Sequence, residues 1–89
     1  MKGIITVIGK DKVGIIAKVC VYLSGNGVNI LDISQTIVQG YFNMMMIVDF
    51  GQSLLKFEDA AEGLENLGKE IGVKIQLQHE DIFNSMHRI

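Results

Sequence analysis

Residues 9–15 read Gly-Lys-Asp-Lys-Val-Gly-Ile, and the patterns on either side of this stretch decide the fold. The apolar run at 4–8 predicts a strand, because most of its residues are β-branched. A helical spacing of apolar residues follows from Ile15 to Leu23, with Asp11 as a candidate N-cap. A strand, a glycine-bounded turn and a helix N-terminus together can bind a small anion such as a carboxylate. The alternative is a plain tight β–α connection, since a lone glycine pattern is weak evidence.

The composition is that of one globular domain of 89 residues. Hydrophobic residues make up 48% of the chain, enough for an aliphatic core, and the net charge of −2 disfavours nucleic-acid binding. Without a secretory signal or an apolar run of membrane-spanning length, we expect a cytoplasmic protein with no membrane partner. The single cysteine, Cys20, lies on the apolar side of the first helix, which favours a buried and inert thiol.

Two adjacent strand patterns follow the first helix. Residues 28–38 predict a strand with one polar face, which suits the edge of a sheet, and residues 39–40 provide hairpin spacing. The next strand is the clearest element, since alternate residues from Phe42 to Phe50 are all apolar and predict the core face. Its other face is apolar in its middle, which is explained either by scattered surface hydrophobes or by a partner that covers them.

A second helix is predicted from Leu54 to Ile71 by apolar residues at three- and four-residue steps. Ser53 is the candidate N-cap of this helix. Gly63 and Gly68 weaken the helix, and they indicate either close packing or, at Gly68, an early loosening of its end.

Residues 73–78 alternate between apolar and polar and predict a fourth strand. The order is therefore strand, helix, strand, strand, helix, strand. Right-handed crossovers favour an α+β, ferredoxin-like βαββαβ sandwich, with two helices on one face of a four-stranded antiparallel sheet. The domain spans 1–80. The tail, 81–89, has apolar residues at helical spacing but is too short for a stable helix alone, so we expect it to pack on the domain or on a partner subunit.

Three segments have a recognisable sequence: Asp-Lys-Val-Gly-Ile at 11–15, Gly-Val-Asn-Ile at 27–30, and the helix end and strand at 64–75. They resemble the first loop (Asp-Arg-Pro-Gly-Ile in many members), the start of the second strand and the second-helix exit of ACT domains. The resemblance covers about residues 3–80. The segment at 79–88 is similar to that of stand-alone, single ACT-domain proteins of the UPF0237 family. Related domains occur in glycine-cleavage regulators and formyltetrahydrofolate deformylases.

The resemblance implies a regulatory domain that binds a small ligand, often an amino acid, between two subunits. The ligand would lie between the first loop of one subunit and the start of the second strand of the other. The implied ligand-binding residues are Asp11, Lys12, Val13, Gly14, Ile15, Asn29 and Ile30. Gly14 would leave room where a Cβ would intrude. Lys12 stands where Arg is usual, which removes bidentate carboxylate binding, and Val13 stands where Pro is usual, which makes the loop less rigid.

Metal and catalytic chemistry are not favoured by the sequence. His79 and His87 are the only histidines, and they lack the short spacing of a metal site. Cys20 has no candidate base, and the serines lack a nucleophile-elbow pattern. We therefore expect no enzyme, no cofactor and no metal, but a homodimer with a small ligand and an unidentified protein partner. The alternative function is a ligand-free dimerisation and protein-interaction module.

Overall fold

The computed structural model describes residues 1–10 and 14–80. In that part of the chain the elements are β1 (Lys2–Lys10), α1 (Ile15–Gly25), β2 (Asn29–Val38), β3 (Tyr41–Asp49), α2 (Phe57–Ile71) and β4 (Lys74–His79). The strands form one antiparallel sheet in the order β2-β3-β1-β4. This confirms the predicted ferredoxin-like sandwich. The tail at 81–89 lies outside the described residues.

The core lies between the two helices and one face of the sheet. The alternation predicted for the third strand is confirmed, because every second side chain from Phe42 to Phe50 is buried. Each such side chain contributes on the order of 1.5–3 kcal/mol when it is fully buried. The buried residues that complete this core include Ile5 and Val7 of β1, Val19 and Leu23 of α1, Leu64 of α2, and Ile75 and Leu77 of β4.

The opposite face of the sheet, here called the open face, is not part of this core. The register puts alternate side chains of adjacent strands on it, so that a row of cross-strand neighbours runs through Thr6 and Met45. Met45 is 39% exposed and Tyr41 is also exposed. The apolar middle that the sequence showed on this face of β3 therefore faces outward.

β2 lies at one edge of the sheet, as its polar face predicted. Its pairing with β3 shifts between Ile30 and Asp32, where a β-bulge leaves Leu31 as the extra residue. Beyond the bulge, Ser34 and Thr36 pair with open-face residues of β3, so the polar side of the strand faces away from the helices.

The second helix begins at Phe57, later than predicted, and Ser53 is not its N-cap. The Ser53 hydroxyl instead accepts a hydrogen bond from the Leu55 N–H at 3.0 Å and donates to the Leu55 carbonyl at 2.9 Å. The Leu54 N–H donates to the carbonyl of Asn26 at 2.8 Å. These bonds satisfy the backbone locally, which competes with helix formation and leaves the Leu54 side chain exposed.

Two glycines allow α2 to pack closely, which confirms the close-packing explanation. A Cβ at Gly68 would lie 2.7 Å from the carbonyl oxygen of Val73. That glycine's own carbonyl accepts a hydrogen bond from the Val73 N–H at 2.8 Å. A Cβ at Gly63 would overlap the hydroxyl of Tyr22 on α1. Gly68 therefore requires the absence of a side chain, because a backbone atom would be displaced, whereas at Gly63 the end of the Tyr22 side chain would have to move.

We expect Gly68→Ala to lower the free energy of unfolding by about 1–3 kcal/mol, since the new methyl group must displace a backbone carbonyl. Gly25→Ala is the matched control, because nothing lies within 4 Å of its Cβ position at the end of α1. The control should be neutral or more stable by up to about 1 kcal/mol. Denaturant unfolding measures both, and equal stabilities of the two variants would contradict the packing explanation.

Candidate ligand-binding site

The first wall of the predicted site is the connection between β1 and α1. Asp11, Lys12 and Val13 lie outside the described residues. The N-cap of α1 is Gly14 and not Asp11, and its φ of 87° lies in the left-handed region. A Cβ at Gly14 would meet no described atom within 4 Å, so the space beside it is open, and the expectation that it leaves room for a ligand stays a prediction. The backbone conformation is a separate reason for glycine here.

Ile15 contributes its backbone to this wall, because its side chain is buried in the core. The first N–H groups of any helix have no partner within the helix. No side-chain cap from the described residues satisfies them in α1. N–H groups at a helix start, with the positive end of the helix dipole behind them, are of the kind that can bind a carboxylate.

The second wall is the start of β2. Asn29 is its first residue and is exposed, while the Ile30 side chain is half-buried against the core. An open depression of about 640 Å³ lies beside Asn29. Its lining consists of Ser24, Gly27, Val28, Asn29, Asp49, Gly51 and Gln52. Most of these residues offer amide, hydroxyl, carboxylate or backbone polar groups, so the depression suits a polar ligand.

Asp49 is a candidate site residue that the sequence did not indicate. It is the direct cross-strand partner of Asn29, and only the register of β2 on β3 shows this. One oxygen, Oδ1, accepts the Gly51 N–H at 2.8 Å and lies 3.9 Å from the amino group of Met1. The carboxylate is partly exposed, so it can attract a further ammonium group.

Within one chain, the two walls lie at opposite ends of the sheet. At one end of the sheet, Asp49 pairs with both Lys2 and Asn29. At the other end, Tyr41 pairs with both Lys10 and Val38, and the first loop begins there. The eight steps along β1 from Lys2 to Lys10 separate these ends by roughly 26 Å at about 3.3 Å per residue. A single chain therefore does not bring the first loop and Asn29 together.

Two other titratable side chains of the described residues, those of His79 and Tyr22, have roles in packing. The ring of His79 stacks on Phe57 with centroids 3.9 Å apart, whereas His87 lies outside the described residues. No three His, Cys, Asp or Glu side chains within 1–10 and 14–80 are grouped as metal ligands. Burial, and after it the Asp59 carboxylate, raises the pKa of the Tyr22 hydroxyl.

No helix in the described part of the chain is long and apolar enough to cross a membrane.

If Gly14 is required for its backbone conformation alone, Gly14→Ala should cost roughly 1–2 kcal/mol of stability. Gly14→Asn should cost clearly less, because asparagine tolerates the left-handed region despite its larger side chain. Thermal unfolding of both variants without ligand measures this. A larger loss for asparagine than for alanine would show that space, and not conformation, decides this position.

The sequence matches the profile of the ACT domain family over residues 3–78. A UPF0237 protein of Bifidobacterium longum is 60% identical, with 99% of this chain and 98% of that one covered. Among solved structures, an ACT domain protein from Streptococcus pneumoniae has a TM-score of 0.82 at 43% identity, and 93% of each chain is covered.

Larger proteins contain the same fold. The ligand-free regulatory subunit of aspartate kinase from Thermus thermophilus has a TM-score of 0.66 at 31% identity, covering 86% of this chain and 50% of that one. A formyltetrahydrofolate deformylase from Pseudomonas syringae has a TM-score of 0.79 at 20% identity, covering 88% and 27%. The second likeness concerns the fold alone. With the family profile and the full-length relatives, the chain belongs to the ACT domain family, among its UPF0237 proteins.

Proposed function

We propose that this protein is a non-catalytic regulatory domain that binds an amino acid between two copies of the chain. ACT domains are usually regulatory modules that bind small molecules. The observation that carries the proposal is the separation of the two candidate walls, the first loop and the Asn29 end of β2, by the length of the sheet. A site made of both walls needs a second copy.

The one free cysteine, Cys20, fits a reducing compartment, so the proposal includes a cytoplasmic location.

The exposed edge of β2 is the surface that the second copy would use. Four apolar side chains of this strand are 42–58% exposed: Leu31, Ile33, Ile37 and Val38. Natural sheet edges are commonly protected by proline, lysine, a β-bulge or a covering element. β2 has no proline or lysine, and its single charged residue is Asp32. Its β-bulge at Leu31 interrupts the start of the edge, and the regular stretch beyond it, 32–38, favours pairing with another strand.

Antiparallel pairing of two β2 strands would complete the site. Around a two-fold axis near the middle of the strand, Asn29 of one copy would lie opposite Val38 of the other. Val38 is level with Lys10, where the first loop begins, two strand spacings away, so Asn29 of the other copy would lie three spacings, or about 14 Å, from Lys10. Each wall of one copy would therefore lie at the same end of the joined sheet as the complementary wall of the other, which makes two equivalent sites per dimer.

The charges of the two walls support an amino acid as the ligand. The N–H groups at the start of α1 would hold its carboxylate. The Asn29 amide can donate and accept hydrogen bonds, and the neighbouring Asp49 carboxylate would hold the ammonium group. A carboxylate ligand without an amino group would leave Asp49 without this contact and should bind more weakly.

A second candidate function is a ligand-free interaction module. The exposed apolar side chains of the open face favour it, since Ile8 and Met45 lie on this surface. In that case a protein partner would cover the open face, and no small molecule would stabilise the domain.

Ligand binding is tested by a thermal-shift screen against the twenty amino acids and their deaminated analogues. An amino acid at about a hundred times its dissociation constant should stabilise the protein by about 2.7 kcal/mol, which is a shift of about 11–22 °C in a domain this small. Asn29→Ala and Asp49→Asn should remove the shift. Asn66→Ala, which truncates an exposed amide of α2, is the control and should retain it. A screen without any amino-acid hit would reject the proposal.

Pairing through β2 is tested by light scattering. We expect a mass of twice 9.8 kDa for the wild type. Ile33→Lys combined with Ile37→Lys should give monomers, because four charged side chains would meet in the paired edge. Ile8→Lys adds charge to the open face and should leave the dimer intact. If Ile8→Lys dissociates the dimer and the edge variant does not, the copies meet through the open face instead.

A further inference from the structure

Ile4 is buried on the side of the sheet that has no described helix. Its side chain is only 5% exposed, yet it is not part of the core cluster between the sheet and the helices. Ile8 lies on the same strand and the same face, four residues further on, and is 50% exposed. Both positions are flanked by β3 and β4. Their difference indicates that something covers the open face at Ile4 and ends before Ile8.

The surrounding residues locate this cover. The cross-strand neighbours of Ile4 are Ile47 on β3 and Gln78 on β4. Ile47 is half-buried, whereas Met45, the next open-face residue along β3, is 39% exposed. Gln78 is exposed, so the cover lies over the Ile4 and Ile47 part of one row of the open face. We call this row the Ile4 row: Gln78, Ile4 and Ile47.

We propose that residues 81–89 of the same chain are this cover. The last pair of β4 joins His79 to Gly3, so the chain leaves the sheet on the strand next to Ile4 and one residue beyond the Ile4 row. A nine-residue helix is about 14 Å long. The Ile4 row spans two strand spacings, about 10 Å, while Ile8 lies about 13 Å along β1 from Ile4. A helix of this length that lies across the strands covers the row and leaves Ile8, further along β1, uncovered.

The side chains of the segment match this surface. Ile82, Phe83, Met86 and Ile89 have the spacing of one helical face, and the intervening residues are polar or charged. A helix this short is unstable without a surface to pack on. Ile4 and Ile47 of this row supply an apolar surface that begins one strand away from the point of attachment. A tethered segment meets it at an effective concentration in the millimolar range, which favours it over a second copy of the chain.

Thiol accessibility tests this proposal in the full-length chain. Ile4→Cys and Ile8→Cys are each made in a Cys20→Ser background and allowed to react with a soluble disulfide reagent. We expect Ile4→Cys to react at least about tenfold more slowly than Ile8→Cys. Adding Phe83→Asp and Met86→Asp should remove most of this difference by raising the Ile4→Cys rate, because the charged segment no longer packs on an apolar row. The Ile8→Cys rate should not change.

Asn84→Asp combined with Ser85→Asp is the matched control, since it adds the same charge at polar positions and should leave Ile4→Cys protected. Thermal unfolding of each variant shows that the domain remains folded. Continued protection of Ile4→Cys in the Phe83→Asp, Met86→Asp chain would overturn the proposal. If the remaining protection of Ile4→Cys falls when the protein is diluted, a second copy of the chain is the cover. If the protection does not depend on concentration, the side chains of the neighbouring strands are the cover.

Discussion

The register of the central strands is the constraint on which the rest of the structure depends. β3 pairs with β1 on one side and β2 on the other, and its buried alternate side chains hold this register, since a shift by one residue would turn the whole set away from the core. The same register makes β1 and β2 run in the same direction. It thereby places Asn29 and the first loop at opposite ends of the molecule, and a two-walled site has to be shared between two chains.

The elements that the sequence predicted well are those with one dominant periodicity. The alternation of β3 and β4 and the spacing of both helices were enough for the fold, because burial of one face decides each of them. The start of α2 was missed, since hydrogen bonds of Ser53 and Leu54 in the preceding turn outweigh the helical spacing there. At Gly14 the sequence indicated a need for space, and the φ angle adds a conformational reason that the residue pattern does not show.

The candidate site was predictable only in part. Gly14 and Ile15 belong to the glycine-bounded turn and helix start that the sequence itself indicated, whereas Asn29 and Ile30 were named by the family resemblance alone. Asp49 is twenty residues from Asn29 along the chain, so its position as the cross-strand neighbour follows from pairing alone. A domain of 89 residues has a limited core and exposes much of its sheet. The β2 edge and the open face are the two surfaces left over, and we propose a second copy for the first and the C-terminal segment for the second.

The most direct test of a shared site is complementation between two defective chains. Asn29→Ala damages one wall and Gly14→Leu damages the other, so neither variant alone should bind the amino acid that the wild type binds. In a mixed dimer, the intact loop of one chain faces the intact Asn29 of the other. An equimolar, re-equilibrated mixture should therefore recover about one quarter of the wild-type sites in a calorimetric titration. A mixture that recovers no binding, although the wild type binds, would show that the two walls do not act across the subunit boundary.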